Sequence, residues 1–503
     1  FFMRTTGTVG SPTKLLDVSA GGKVMVYDLS GDPGLVSSSI YLFVPAAEGS
    51  LTLEENTRII NGATYHVETE NGDILGLRVE VIAGNLILDA HSNGSNPDIT
   101  GAIRIDTLIV HYDALQDAAT EADKVLYSSA DLDAMGDIEI GSLTAEDNSV
   151  VSLTSTGGGL TSDTWSVDDS QVTASVYGDI AIADLTAVNA STVSMTSSNG
   201  GLTSATWDVD DSQVTASVYG NISIEAFEAA SGSTVSLTSS NGGLSSATWD
   251  VDDSQVTASV YGNIAIDALS ATNGSSVLLT SSNGGFSSLS WNISSSSLTA
   301  YVKGNIAAEL VALEGNSTTL LTSTNGGLTL GELTVNASKL VSDIYGNISI
   351  PYADVRESEV ALYAKAGGLT MTGMHLSNST WSASVFGDVS IPEIQSFGSD
   401  LTLLSTDGSI FFNSISAAKS NVSLLAHENI GLLDSAQSNP TITFAKDDTS
   451  ANASLTLSAK LGDIGSNTKR LKIDIPAELT VRINEVEGYY IDAVDLPLSS
   501  NPF

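Results

Sequence analysis

The stretch ATWDVDDSQVTASVYGNI occupies residues 205–222 and returns letter for letter at residues 247–264, 42 positions on. The surrounding chain keeps that interval. Glycine pairs fall at Gly158/Gly159, Gly200/Gly201, Gly242/Gly243, Gly284/Gly285 and Gly326/Gly327, and Trp165, Trp207, Trp249 and Trp291 share the spacing. So do Tyr177, Tyr219 and Tyr261, with Tyr345 returning in phase after Lys303 takes one turn. Five consecutive copies without insertion or deletion point to a fold made by stacking one unit on the next.

Within the unit the apolar residues alternate with polar ones: Val214, Ala216 and Val218, then Ile222 and Ile224. A period of two means strands. The unit also divides into two similar halves, residues 191–211 and 212–232, each with an alternating strand, a Gly/Asn turn and a second short strand. The structural step is therefore about 21 residues, too small for a propeller blade of four antiparallel strands and the right size for one coil of a parallel β-helix. Rungs of such a helix lie about 4.8 Å apart, and a mostly coiled chain would hold roughly 24 of them. An insertion inside a coil would turn inward side chains outward, which accounts for the rigid spacing.

The repeat is clearest over residues 148–400 and continues as degenerate coils over 401–464. Residues 465–503 are expected to form a β cap or assembly segment, with Tyr489/Tyr490 as one contact. Residues 1–147 are an irregular β region, expected to be β-helical, with an insertion near 111–125 that has the composition for a short helix.

Net charge is −41, from 59 acidic and 18 basic residues, and between Asn148 and Asn316 the only basic residue is Lys303. Nucleic acid and anionic membrane surfaces both need Lys and Arg, so neither is expected as a partner. There are no cysteines, hence no disulfides and no thiolate metal site. No apolar run reaches the ~18 residues of a transmembrane helix. The opening FFMRTTGTVG reads as a mature chain or a piece of a longer one.

The repeated acidic residues are the first candidate for chemistry. Asp168/Asp169, Asp210/Asp211 and Asp252/Asp253 recur in register, and calcium would suit adjacent carboxylates, although no DxDxDG loop is present. Copies two coils apart would be ~9.6 Å from one another, where repulsion in water is only about 0.4 kcal/mol, so the ladder can stand without a metal. Trp207 shares a strand face with Val209 and is expected in the core or at a corner, the alternative being a sugar-stacking row outside. Tyr219 follows the inward Val218, which turns the tyrosines outward.

Some β-helix proteins cleave polysaccharides, which requires carboxylates converging in a groove, with Arg or Lys in the lyases. Here the acidic residues repeat from unit to unit, a lattice and not a single exception, so no enzyme is expected. His66, His91, His111, His375 and His427 show no metal-ligand spacing. Asn221, Asn273, Asn292, Asn316 and Asn347 head Asn-x-Ser/Thr sequons and are possible glycosylation positions.

The segments VSLTSSNGGL, TASVYGNISI and LTLLSTDGSI, and the C-terminal GDIGSNTKRLKIDIPAELTVRI from Gly462, resemble the coils of filamentous-haemagglutinin-type large exoproteins of bacteria. The resemblance covers about three quarters of the chain, through patterns that the fold itself dictates. It implies a right-handed parallel β-helix, export, an extended stalk and an adhesive or matrix role. The combined expectation is an all-β solenoid with coils of about 21 residues paired into 42-residue repeats. It would act as an extracellular, cell-surface structural or adhesive rod, the subunit of a fibre, sheath or matrix or the stalk of an adhesin. Its partner would be another copy of itself or a surface glycan, and the alternative is a carbohydrate-active β-helix protein.

Overall fold

The computed structural model describes residues 51–494 apart from 54–55, 61–62, 71, 92–100, 113–127, 432–438, 446–452, 476–478 and 485–487; of the first fifty it describes six short strands. Among the described residues every regular element is a β-strand, and the strands pair in parallel. The chain is an all-β parallel solenoid of about 19 turns of roughly 21 residues. It falls into two compact units, residues 1–261 and 262–503.

In the first unit each regular coil has one nine-residue and one six-residue strand, such as Leu202–Asp210 and Gln213–Val218. The second strand of each half is thus the longer one, contrary to the expectation from the sequence. In Leu160–Asp168 the buried positions are the first, third, sixth and eighth, so Asp163 and Thr164 both face outward. The strand bends there, and the ladder skips Asp163 between Ser162 and Thr164. This slip in the alternation conceals the strand's length from a period-two pattern.

Short strands step by 21 residues, Val172 pairing with Val193 and Val193 with Val214. Long strands step alternately by 20 and 22, Leu160 pairing with Ile180 and Ile180 with Leu202. The difference lies in the turns. Val218 is followed by the three-residue turn Tyr219–Asn221, whereas Ser197 is followed by four residues, 198–201, including the glycine pair. Ser197 secures the longer turn: its hydroxyl donates to Gly178 O (2.5 Å) and accepts from Gly200 N (2.8 Å). A Cβ on Gly200 would lie 2.3 Å from the Gly178 carbonyl carbon, so close approach of stacked backbones, not a left-handed φ, demands glycine there.

The opposite corner turns on a residue with positive φ, Asp169 (45°), Asp211 (47°) or Asp253 (46°), followed by a buried serine. These serines form a ladder, with Ser191 N donating to Ser212 Oγ (3.1 Å) and Ser212 N to Ser233 Oγ (3.2 Å). The core is a set of apolar columns, some of one residue type and others alternating. Trp165, Trp207 and Trp249 are all but fully buried, and Leu185 and Phe227 occupy the intervening rungs.

In the second unit the same coil continues with Phe286–Ser294, Ile306–Glu314 and Leu328–Asn336, and Trp291 stacks on Phe286 at 5.1 Å and 6°. Farther along, the nine-residue side divides in two, as in Ile348–Ser349 and Tyr352–Arg356, or Val389–Ser390 and Glu393–Phe397. Pro351 and Pro392 sit at the divisions, where a missing N–H is tolerated because the ladder is already interrupted. The ladder runs on into the C-terminal segment, Thr480–Asn484 pairing with the strand Ser454–Ala459.

Enlarged coils account for part of the difference between about 19 turns and the roughly 24 expected. Ala90 pairs with Ala134, 44 residues on, and Asn421 with Ser454, 33 on. The first enlargement spans the insertion expected near 111–125, most of which lies outside the described residues, as does the helix proposed for it. The side chain of Tyr489 is also outside them, whereas the Tyr490 backbone bonds to Ile464 O and Leu471 N.

Candidate functional surfaces

The six aspartates flank the corners as adjacent pairs, one residue of each ending a long strand and the next turning the chain. Asp168 and Asp210 end long strands, while Asp169, Asp211 and Asp253 occupy the left-handed turn position. Asn189 Nδ2 donates to Asp168 Oδ1 (2.6 Å) and Asn148 Nδ2 to Asp169 Oδ2 (3.3 Å), so the corners carry Asn–Asp bridges from rung to rung. Asp252 ends the equivalent long strand.

Among the described residues, three His, Asp or Glu side chains with ligand atoms within 4.8 Å of one another occur once, at His66, Glu68 and Asp89. His66 and Glu68 lie on the short strand Thr64–Thr69 and face outward with Asp89 of the next rung, Asn85–Ala90. The groups are already paired: His66 Nε2 lies 2.7 Å from Asp89 Oδ2, and Tyr41 O–H donates to Glu68 Oε2 (2.5 Å). That bond to Glu68, with burial and the charges of Glu68 and Asp89, pushes the Tyr41 hydroxyl up to about 12. Asp133 continues the column one rung beyond Asp89. Burial raises its pKa, the Asp89 charge adds to this, His91 opposes it and Asp131 adds again. Glu68 and Asp89 are one regular 21-residue step apart, so the coil spacing could have found the cluster, whereas the step from Asp89 to Asp133 crosses the enlarged coil.

On the bent long-strand side, Arg104, Asp106, Glu139 and Asp163 line a shallow groove of about 400 Å³. Arg104 bridges Asp73 (3.2 Å) and Glu139 (3.1 Å). In the second unit, burial would raise the Asp354 carboxyl, but hydrogen bonds from Arg356 and His375 outweigh it and hold its pKa below the usual range.

The tryptophans face inward, as their partnership with Val209-type positions predicts, and the tyrosines outward: Tyr177, Tyr219 and Tyr261 are 44–48% exposed. The five sequon asparagines Asn221, Asn273, Asn292, Asn316 and Asn347 are all exposed. Asn221 and Asn347 also serve the fold, their Oδ1 atoms accepting from Gly243 N and Gly368 N (both 2.9 Å). The buried serine ladder escaped the sequence pattern, yet Ser149, Ser170, Ser191, Ser212, Ser233 and Ser254 are spaced by 21 throughout. In a chain so rich in serine, that column is hidden by its own composition.

Fold and surfaces together define the class: a parallel β-solenoid with repeated outward columns. No protein family matches the chain, and no curated protein or solved structure is similar to it. No helix among the described residues is long and apolar enough to cross a membrane.

Proposed function

We propose that this protein is an extracellular structural or adhesive element of the bacterial-surface type, self-associating as a fibre, sheath or matrix subunit or serving as an adhesin stalk. The observation that carries this is the repetition of its surface: the same outward side chains recur in register rung after rung, as with Gln171, Thr192, Gln213, Thr234 and Gln255. A lattice of this kind multiplies weak contacts along its length. Its resemblance to filamentous-haemagglutinin-type exoproteins supports the same role. Electron microscopy of purified protein tests it: ordered filaments or sheets are expected, and discrete particles that depolymerise a glycan would overturn it.

The groove holding Arg104, Asp106, Glu139 and Asp163 favours one second role, a carbohydrate-active protein, because it places carboxylates beside a guanidinium. Arg104→Ala would then abolish release of reducing or unsaturated ends from a polysaccharide. On the structural proposal no such release occurs.

A further inference from the structure

Between Val150 and Val260 the short-strand side of the first unit differs from the long-strand side. All thirteen acidic residues between Val150 and Tyr261 lie on long strands or turns, and this stretch has no Lys or Arg. Six successive short strands, from Val150–Ser155 to Gln255–Val260, therefore present an uncharged face on a chain of net charge −41. Two outward columns alternate Ser and Thr out of phase, with Thr215 and Ser217 on one rung and Ser236 and Thr238 on the next. Among the described residues, the hydroxyls of these two columns make no hydrogen bond to another protein group. On the long-strand side, by contrast, Thr206 Oγ1 donates to Asp184 at 2.6 Å.

The edge of this face is also apolar and notched. Its column reads Tyr177, Ser198, Tyr219, Ser240, Tyr261, a large residue on every second rung. Of the six exposed large apolar side chains described in the first unit, four lie on this face or its edge, Val150 and the three tyrosines, and a fifth, Met135, follows the adjoining Asp133 rung. Isolated exposed apolar residues need no explanation, but a contiguous row marks a contact surface. The face is bounded at one end by the charged rungs of His66, Glu68, Asp89 and Asp133. In the second unit the first three short strands, Ser276–Ser281, Ser297–Val302 and Thr318–Ser323, are also uncharged, and charge returns with Lys339, Asp343 and Glu359.

We propose that this face pairs with the same face of a second copy of the chain, the tyrosines of each copy seated over the serine notches of the other. Two considerations select that partner. Knobs two rungs apart, about 9.6 Å, with equal gaps between them, are self-complementary when one copy is displaced by one rung, about 4.8 Å. Two chains this acidic also repel, so they can meet closely only where both are uncharged. The proposal rests on the self-associating role given above and names its contact.

Sedimentation of the full chain over a range of concentrations and salt tests it. Association is expected to strengthen with salt, which screens the acidic remainder. The triple variant Tyr177→Ser, Tyr219→Ser, Tyr261→Ser is expected to raise the dissociation constant at least about tenfold. Ser217→Glu with Ser259→Glu should do the same, and mixing that variant with Ser217→Lys, Ser259→Lys should restore association. Circular dichroism checks that each variant is folded. Assemblies that form equally well with these variants would overturn this contact while leaving self-association intact. A chain monomeric under all conditions would overturn both. Tyrosine-dependent capture on chitin or cellulose without self-association would assign the face to a neutral glycan and overturn the pairing.

Discussion

Trp207 shows what one residue does in a columnar core. Its ring lies between Leu185 and Phe227 on the adjacent rungs, and its indole N–H is buried with no protein acceptor, as in Trp165, Trp249, Trp291 and Trp381. Trp207→Ala is expected to lower unfolding free energy by about 3–5 kcal/mol. Trp207→Phe should cost clearly less, because a ring remains and an unpaired buried donor, a liability of about 1–3 kcal/mol, is removed. Urea titration distinguishes the two. The pKa shifts of Asp133 and Asp354 are opposite in direction. The Asp133 pKa is raised by burial and then by Asp89, so its proton is held more tightly in the folded chain. Its contribution is full below the unfolded pKa and is lost as pH rises through the folded value. Asp133→Asn is therefore expected to melt higher than the parent at neutral pH, and that advantage should disappear below about pH 3.9. Asp354, with its pKa lowered, contributes stability above its unfolded pKa that is lost as pH falls through the folded value.

At the scale of the coil, two corners do different work. The glycine corner depends on close backbone approach, so Gly200→Ala is expected to destabilise by about 1–3 kcal/mol through overpacking against Gly178. The serine corner depends on hydrogen bonds. Ser212→Ala strands the buried Ser191 N–H and should cost about 1–3 kcal/mol, against a few tenths for the outward Ser217→Ala. Paired thermal melts read both differences. The glycine corner was legible in the sequence because Gly200/Gly201 recur every 42 residues from Gly158/Gly159 to Gly326/Gly327. The inward Val214, Ala216 and Val218 and the outward Tyr219 were legible from alternation alone. The bend at Asp163 and Thr164 was not, since two outward residues in succession look like the end of a strand when they are a change of direction within one. The His66, Glu68 and Asp89 cluster spans one regular 21-residue step, but it lies in residues 1–147, where the 42-residue repeat does not set the frame from which rungs are counted.

At the scale of the molecule, the chain repeats its surface as faithfully as its core. The eighteen residues from Ala205 recur at Ala247 because a turn of 20 residues and one of 22 restore the frame together. The proposed adhesive or structural role and the uncharged, notched face both follow from that translation: between Val150 and Tyr261 acidic residues gather on long strands and turns, and the short strands there are left neutral. Such a molecule should tolerate loss of whole periods and not of fractions of them. The most direct measurement is urea unfolding, followed by circular dichroism, of the chain lacking residues 212–253, which joins Asp211 to Ser254. The predicted result is the parent β spectrum and a single cooperative transition, whereas a deletion one residue shorter loses both. Collapse of the 42-residue deletion to an unfolded chain would contradict a solenoid built by whole, interchangeable periods.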